Sequence, residues 1–171
     1  MATEQLYVDG LGTERTDWTR VGTTPYLDAQ DQPSHYVHNA VKKAEIGDFT
    51  FADTARPHTD TLNSVTLYAY SRKIGPPTLD FYLWDGTGWT DTGLACDVSG
   101  LWSWESVNVS AILDTWAKVD GAKLYIKQPN DEDQAEVDAV YLLIDYTATG
   151  VGHPYISRVQ NVSGMRTVGG W

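Results

Sequence analysis

The middle of the chain alternates between apolar and polar side chains with a period of two. This period is typical of β-strands that bury one face, because successive side chains point to opposite sides of a sheet. Two such runs, residues 64–70 and 79–84, are separated by the strand-breaking sequence Lys73-Ile74-Gly75-Pro76-Pro77. An Asp-Gly dipeptide at 85–86 then predicts a tight hairpin turn. The predicted inward positions are Val65, Leu67, Ala69, Leu79, Phe81 and Leu83.

Similar but shorter patterns recur on both sides of this stretch. Residues 136–146 combine apolar side chains on both faces, which predicts a central strand. One helix is predicted at residues 110–116, capped by Ser110, and Asp120-Gly121 would end it. Further strands are predicted at residues 34–41, 48–52, 102–109 and 122–127, with edge segments at 13–21 and 94–98.

About eight short strands separated by turns predict an all-β fold, an antiparallel β-sandwich of jelly-roll type with one short helix. We expect one such domain at residues 1–146. Residues 147–171 contain five glycines and no regular apolar period, which predicts an extended C-terminal arm rather than a second domain.

The chain is acidic, with 12 Lys and Arg against 23 Asp and Glu, a formal net charge of −11. This charge disfavours binding to nucleic acid or to anionic lipid. The polar beginning of the chain and the short apolar runs predict synthesis in the cytoplasm without a signal peptide, and no membrane insertion. The lone cysteine, Cys96, is expected to be a small core residue.

No arrangement of residues predicts a reaction, so we expect a protein that is not an enzyme. The chain lacks a nucleophile elbow, a phosphate-binding loop and a dinucleotide fingerprint. His35 and His38 are three residues apart on a predicted strand and therefore point to opposite faces. A glycan hydrolase would need two facing carboxylates, for which the candidates are Asp28, Asp31, Asp138 and Asp145.

No cofactor is expected, although two acidic loops have the hard oxygen ligands that calcium prefers. They are residues 28–31 and residues 130–133. Neither loop has helix-loop-helix spacing, and acidic loops of this kind are more often simply solvated.

Trp and Tyr are abundant, at seven and ten residues against three Phe. These rings suit positions that are partly buried and partly wet. Five of them share the outward phase of the central stretch, which leaves three interpretations: a second core face, a protein interface or a sugar-binding platform. These five are Tyr68, Tyr70, Tyr82, Trp84 and Trp89.

Several short motifs occur in the order found in a recurrent type of phage and prophage virion protein. They are Asp9-Gly10 with Trp18, a loop from Tyr26 to Asp31, Phe49-Thr50-Phe51-Ala52-Asp53, Ser64-Val65 with Ala69 and Arg72-Lys73, and a final strand from Val137 to Tyr146. The chain resembles these proteins over residues 8–146. The resemblance implies a lectin-like jelly-roll domain on a tail, fibre or capsid surface, and it implies no catalytic residues.

We therefore expect a structural subunit of a virion or extracellular assembly, whose partners are copies of itself, other assembly proteins and surface glycans. The alternative is a carbohydrate-binding module. The arm would insert into a neighbouring subunit, because alone it buries too little apolar surface to offset its ordering entropy. Its predicted contact residues are Tyr155, Ile156, Val159, Val162, Met165 and Trp171. The alternatives are a flexible tail and an arm that folds back on its own sandwich.

Overall fold

The computed structural model describes residues 1–12, 15, 17–21, 27, 36–39, 45–55, 58–129 and 135–149. Within these residues every strand pairing is antiparallel, so the all-β expectation is confirmed. The strands are β1 Ala2–Leu11, β2 Trp18–Val21, β3 Tyr36–Asn39, β4 Glu45–Phe51, β5 Thr61–Lys73, β6 Asp80–Trp84, β7 Trp89–Asp91, β8 Ser103–Asn108, β9 Lys123–Lys127 and β10 Ala135–Thr147, and the described helix is α1 Trp116–Asp120.

The sheet has two sections, which we call sheet A and sheet B. In sheet A, β10 is central: β5 and then β8 lie on one side, while β1 and β3 lie on the other, with β2 beyond β3. In sheet B the order is β4-β9-β6-β7. The sections join through β1, which pairs with β10 up to Tyr7 and with β4 from Val8 onward.

Both sections bury their inner faces in one hydrophobic core. The predicted inward positions of β5 and β6 are confirmed, because all of them are buried. Phe49 and Phe51 on β4 are also buried. The predicted core position of Cys96 is confirmed, and its sulfur accepts a hydrogen bond from Ser71 Oγ at 3.1 Å. Residues of the core from both sections include Val65, Leu67, Phe81, Leu83, Leu124, Ile126, Val140 and Leu142.

The helix prediction was wrong in its position. Thr115, not Ser110, caps α1 by accepting a hydrogen bond from the amide of Lys118, and Gly121 ends the helix. Ser110 Oγ instead accepts a hydrogen bond from the amide of Val65 at 2.9 Å, which adds to the β5–β8 pairing just beyond the end of β8. Trp116 and Val119 are the buried residues of α1.

Three further expectations need correction. The predicted edge strand at 94–98 does not form, although Leu94 and Cys96 are buried there. The long strand β1 forms where the polar sequence and the turn signals at Asp9-Gly10 and Leu11-Gly12 had predicted no strand. The two runs of the central stretch, now β5 and β6, were expected to form the middle of one antiparallel sheet, but they are not neighbours. β5 pairs with β10 and β8, whereas β6 pairs with β9 and β7.

β10 runs one residue past the expected domain boundary, since Thr147 pairs with Thr61. The chain then remains attached through Thr149, whose amide donates to Asp60 Oδ1 at 3.1 Å. The rest of the predicted arm lies outside the described residues.

Candidate functional site

A row of three tyrosines crosses the outer face of sheet A. Tyr7 on β1, Tyr141 on β10 and Tyr68 on β5 are aligned by strand register. The ring centroids of Tyr7 and Tyr141 are 5.2 Å apart, and those of Tyr68 and Tyr141 are 4.9 Å apart with nearly parallel planes. Cross-strand aromatic pairs at these distances stabilise a sheet, so the row ties three strands together. We call it the tyrosine row.

The aromatic surface continues to the edge of sheet A. Tyr70 on β5 lies opposite Trp104 on β8, with ring centroids 5.2 Å apart. Trp104 also meets Tyr141 edge-on at 5.4 Å, which joins this pair to the tyrosine row. Trp102 stacks on Tyr70 at 5.2 Å, and the guanidinium of Arg72 lies over Trp102. The outer face of sheet A is therefore aromatic as far as β8.

β8 is an open edge among the described strands, because it pairs with β5 alone. The amide of Val109 donates to the carbonyl of Val65 at 2.8 Å, in the same register as the β5–β8 pairing. Backbone groups alternate in direction along a strand, so those of Ser106 and Asn108 point away from β5.

Three exposed apolar side chains lie beside this edge. Ile74 follows β5 and is 52% exposed, Leu101 precedes β8 and is 69% exposed, and Trp104 is 39% exposed. Ile74 forms an isolated β-bridge with Ser99. Its side chain therefore lies near Gly100, the residue before Leu101. Apart from Met1, these are the exposed large hydrophobic side chains of the described residues. We call the three residues the β8 strip.

The outer face of sheet B carries a second aromatic group. Tyr82 on β6 and Tyr125 on β9 are paired by register and stack with centroids 4.5 Å apart and an interplanar angle of 3°. Trp89 on β7 meets Tyr125 edge-on at 4.8 Å and Trp84 at 5.6 Å. These rings surround Tyr125 on the side of β6 and β7.

Arg15 closes the other side of Tyr125. Its guanidinium carbon is 4.4 Å from the centroid of Tyr125 and 4.9 Å from that of Trp89, which is cation–π geometry. It also forms ion pairs with Glu45 at 3.5 Å and with Asp48. Arg15, Tyr82, Trp84, Trp89 and Tyr125 together are the Arg15 cluster.

A glycine in β4 allows this strand to approach β9 closely beside Tyr125. Gly47 lies opposite Tyr125, and its amide donates to the carbonyl of Arg15 at 3.1 Å. A Cβ atom at Gly47 would lie 2.5 Å from Tyr125 Cα and 2.8 Å from the carbonyl oxygen of Leu124. Any other residue at this position would therefore push against the backbone of β9.

Burial and neighbouring charges disfavour ionisation in the Arg15 cluster. Burial, together with the negative charge that Tyr82 and Glu45 would contribute, raises the pKa of the Tyr125 phenol to about 12, while Arg15 opposes this rise. Burial, Asp80 and Asp91 likewise raise the pKa of Tyr82. The phenols of Tyr82 and Tyr125 are therefore neutral hydrogen-bonding groups at neutral pH. Burial and the charge of Asp91 also raise the pKa of Asp80.

The β6–β7 turn fixes the two tryptophans of the cluster. Asp85 accepts hydrogen bonds from the amides of Thr87 and Gly88, both at 2.9 Å, and from Thr87 Oγ1 at 2.7 Å. These hydrogen bonds hold the pKa of Asp85 below its usual value. Gly86 has a φ of +95°, the backbone conformation that the Asp-Gly dipeptide predicted.

The five aromatic residues named from the sequence thus fall into two groups. Tyr68 and Tyr70 belong to the outer face of sheet A, whereas Tyr82, Trp84 and Trp89 belong to the Arg15 cluster. The predicted arm residues Tyr155, Ile156, Val159, Val162, Met165 and Trp171 lie outside the described residues, as do both acidic loops proposed for calcium.

The candidate acids Asp138 and Asp145 do not form a pair. They are on the same strand, β10, seven residues and thus about 23 Å apart. Asp28 and Asp31 lie outside the described residues. In the described part of the chain, no three His, Cys, Asp or Glu residues are grouped as metal ligands. His58 is close to Asp120, with Nε2 and Oδ2 2.6 Å apart, and it stacks on Trp116.

Sequence reasoning missed several residues of the two surfaces, namely Tyr7, Arg15, Tyr125, Tyr141, Trp102 and the β8 strip. The outward phase of the strands predicted around Leu124 and Leu142 could have identified Tyr125 and Tyr141. Arg15 has no such signal, because it comes from a loop.

Comparison with known proteins adds no relative to this description. Neither a protein-family model, nor a curated protein, nor a solved structure matches the chain. None of the helices in the described residues has the length and apolar character needed to cross a membrane.

Proposed function

We propose that this chain is a non-enzymatic structural subunit of a virion or extracellular assembly. It self-associates through its sheet surface and its C-terminal arm, residues 147–171, and it contacts other proteins of the assembly. The observation that carries the proposal is the β8 strip beside an open strand edge. Exposed apolar side chains that cluster next to such an edge favour association in an otherwise acidic, well-charged protein.

The strand order supports a jelly-roll fold for this subunit. In an eight-strand jelly roll the first, eighth, third and sixth strands form one sheet, and the second, seventh, fourth and fifth form the other. If β2 and β3 are set aside, the chain has the orders β1-β10-β5-β8 and β4-β9-β6-β7, which follow this scheme. Jelly rolls are common in viral capsids and lectins.

Self-association is tested by sedimentation velocity and electron microscopy of the full chain over a wide concentration range. We expect discrete oligomers, and we expect Leu101→Glu to shift them toward monomers because it places a charge in the β8 strip. Thr90→Glu is the matched control, since Thr90 is exposed on β7 at the other end of the sheet. A chain that stays monomeric at every concentration contradicts the proposal.

The second candidate function is carbohydrate binding, and the paired Trp84 and Trp89 favour it. The planes of the two indoles form an angle of 56°. Both lie on a hairpin whose turn is stabilised by hydrogen bonds to Asp85. Aromatic rings that are partly exposed and rigidly held suit the apolar faces of sugars. A glycan array tests it: specific binding that is lost in both Trp84→Ala and Trp89→Ala would support this function, and an array without specific binding would remove it.

A further inference from the structure

Of the described strand edges, β8 is the one best suited to accept another strand. β7 has three residues and β2 has four, whereas β8 has six. Short edge strands resist pairing, while a longer edge with few charges invites it. Glu105 is the one charged residue in β8, and its carboxylate accepts a hydrogen bond from Ser103 Oγ at 3.0 Å.

The C-terminal residues differ in charge from the rest of the chain. Residues 150–171 contain Arg158 and Arg166 but no Asp, Glu or Lys. The first 149 residues therefore hold ten of the 12 basic and all 23 acidic residues, a formal net charge of −13. A basic segment of this kind is attracted to the acidic surface of the domain.

The length and exit point of this segment allow it to reach β8. β10 ends where Thr147 pairs with Thr61, and the end of β8 lies five residues along β5, where Asn108 pairs with Thr66. That offset is about 17 Å along the strands, and a strand added beyond β8 would lie about 14 Å from β10 across the sheet. The 22 residues from 150 to 171 span up to about 70 Å when extended, enough to extend past the edge of their own subunit.

We propose that residues 150–171 of one copy add a strand to the open edge of β8 in a second copy, an inference that rests on the proposed self-association. The backbone of Ser106 and Asn108 supplies the hydrogen bonds, and the β8 strip supplies the apolar contact. Apolar residues between Val159 and Met165 cover this strip, and the flanking arginines face the acidic domain. Each subunit then donates one arm and accepts one, which lets the arrangement close as a ring or extend as a filament.

Photo-crosslinking of the full chain identifies the occupant of the edge. Benzoylphenylalanine replaces Leu101 in the β8 strip or, as a control, Thr90 on β7. Chains labelled with ¹⁴N and with ¹⁵N are mixed, irradiated and digested, and crosslinked peptides are read by mass spectrometry. We expect crosslinks from position 101 to peptides of residues 150–171 in chains of the other isotope, and none of these from position 90. Crosslinks confined to the same chain, or to other regions, overturn the proposal.

A proline substitution separates strand addition from simple apolar contact. Ser106→Pro removes an amide that points to the open edge, while the β5–β8 hydrogen bonds made by the alternate residues remain. Ser106→Ala retains this amide. With the photo-crosslinker at position 101, we expect Ser106→Pro to abolish the arm crosslinks and Ser106→Ala to leave them. Equal yields from the two variants overturn strand addition, provided that circular dichroism shows both variants folded.

Charge reversal tests the electrostatic part. Arg158→Glu with Arg166→Glu should lower the crosslink yield about tenfold, since two charge contacts become repulsive, and the paired Lys variants should retain it. Sedimentation of the same samples separates the two proposals. Oligomers without arm crosslinks would refute strand addition by residues 150–171 but not self-association. Monomers would refute both strand addition and self-association.

Discussion

The outer faces of sheets A and B are built from the same kinds of residue but are stabilised differently. On sheet A, Tyr7, Tyr141 and Tyr68 fill the space beside one another, so rings pack on rings across neighbouring strands. On sheet B, Tyr82 stacks on Tyr125 in the same way, but Arg15 also lies over the Tyr125 ring from a loop, beside the close approach of β4 to β9 at Gly47. The outer face of sheet A continues to the six-residue edge strand β8, whereas sheet B ends in the three-residue strand β7. Rings therefore stack across neighbouring strands on both faces, and Tyr125 differs because an arginine from a distant loop lies over it as well.

The largest expected effect is that of Gly47→Ala, which would place a side chain where β4 approaches β9 most closely. The new Cβ would overlap the backbone of β9, which cannot move without disturbing the sheet. We expect a loss of about 3 kcal/mol in the free energy of unfolding, measured by urea denaturation. Gly88→Ala is the control, because nothing lies within 4 Å of a Cβ there, and it should change stability by less than about 0.5 kcal/mol. Equal effects of the two changes would contradict the packing described for Gly47.

The next effect tests the tyrosine row. Tyr141→Ala removes ring contacts with Tyr7, Tyr68 and Trp104, so it should cost about 2 kcal/mol in the free energy of unfolding. Tyr141→Phe keeps the ring and should cost less than about 0.5 kcal/mol. If Phe were as harmful as Ala, the phenol oxygen rather than the ring would stabilise sheet A.

Arg15→Met should have a smaller effect on stability, about 1 kcal/mol by thermal unfolding, because a partly exposed cation–π contact and ion pairs are lost. The more specific result is the titration of Tyr125. Arg15 lowers the pKa of Tyr125, so its removal should raise this pKa further, as followed by NMR of the ring carbon Cζ. Arg15→Lys keeps the charge, so the pKa of Tyr125 should change little in this variant. An unchanged pKa in Arg15→Met would show that the guanidinium does not act on the ring.

The smallest effect is a dependence of stability on alkaline pH. The pKa values of Tyr125, Tyr82 and Tyr141 are raised by folding, chiefly through burial, so the folded protein retains protons that the unfolded chain releases. This contribution is complete below pH 10 and is lost as the pH rises toward about 12, the pKa of Tyr125.

Tyr125→Phe identifies the share of sheet B in this dependence. Because Phe does not titrate, the variant should lose less of its unfolding free energy between neutral and alkaline pH, as measured by urea denaturation at each pH. A decline as steep as that of the unsubstituted chain would assign the alkaline effect to other groups.

Much of the fold could be predicted from local pattern. Alternation placed Val65, Leu67 and Phe81 correctly in the core, because a strand with one buried face must be apolar at every second residue. The middle of β10 is apolar on both faces, and this pattern correctly predicted a central strand with neighbours on both sides. The helix was misplaced because Ser110 and Thr115 are both good caps, and only Thr115 accepts the amide three residues ahead.

The sequence by itself determined which side chains face the core, because the two-residue period of a strand is a local property. It also determined the β6–β7 turn, because Asp85 accepts hydrogen bonds from within the turn and Gly86 readily adopts the positive φ that the turn needs. Only the tertiary structure decided that β5 and β6 belong to different sheet sections, that Tyr7 aligns with Tyr141, and that Arg15 lies over Tyr125. These contacts join residues far apart in the chain, and their register depends on the packing of the whole sheet, which no local pattern encodes.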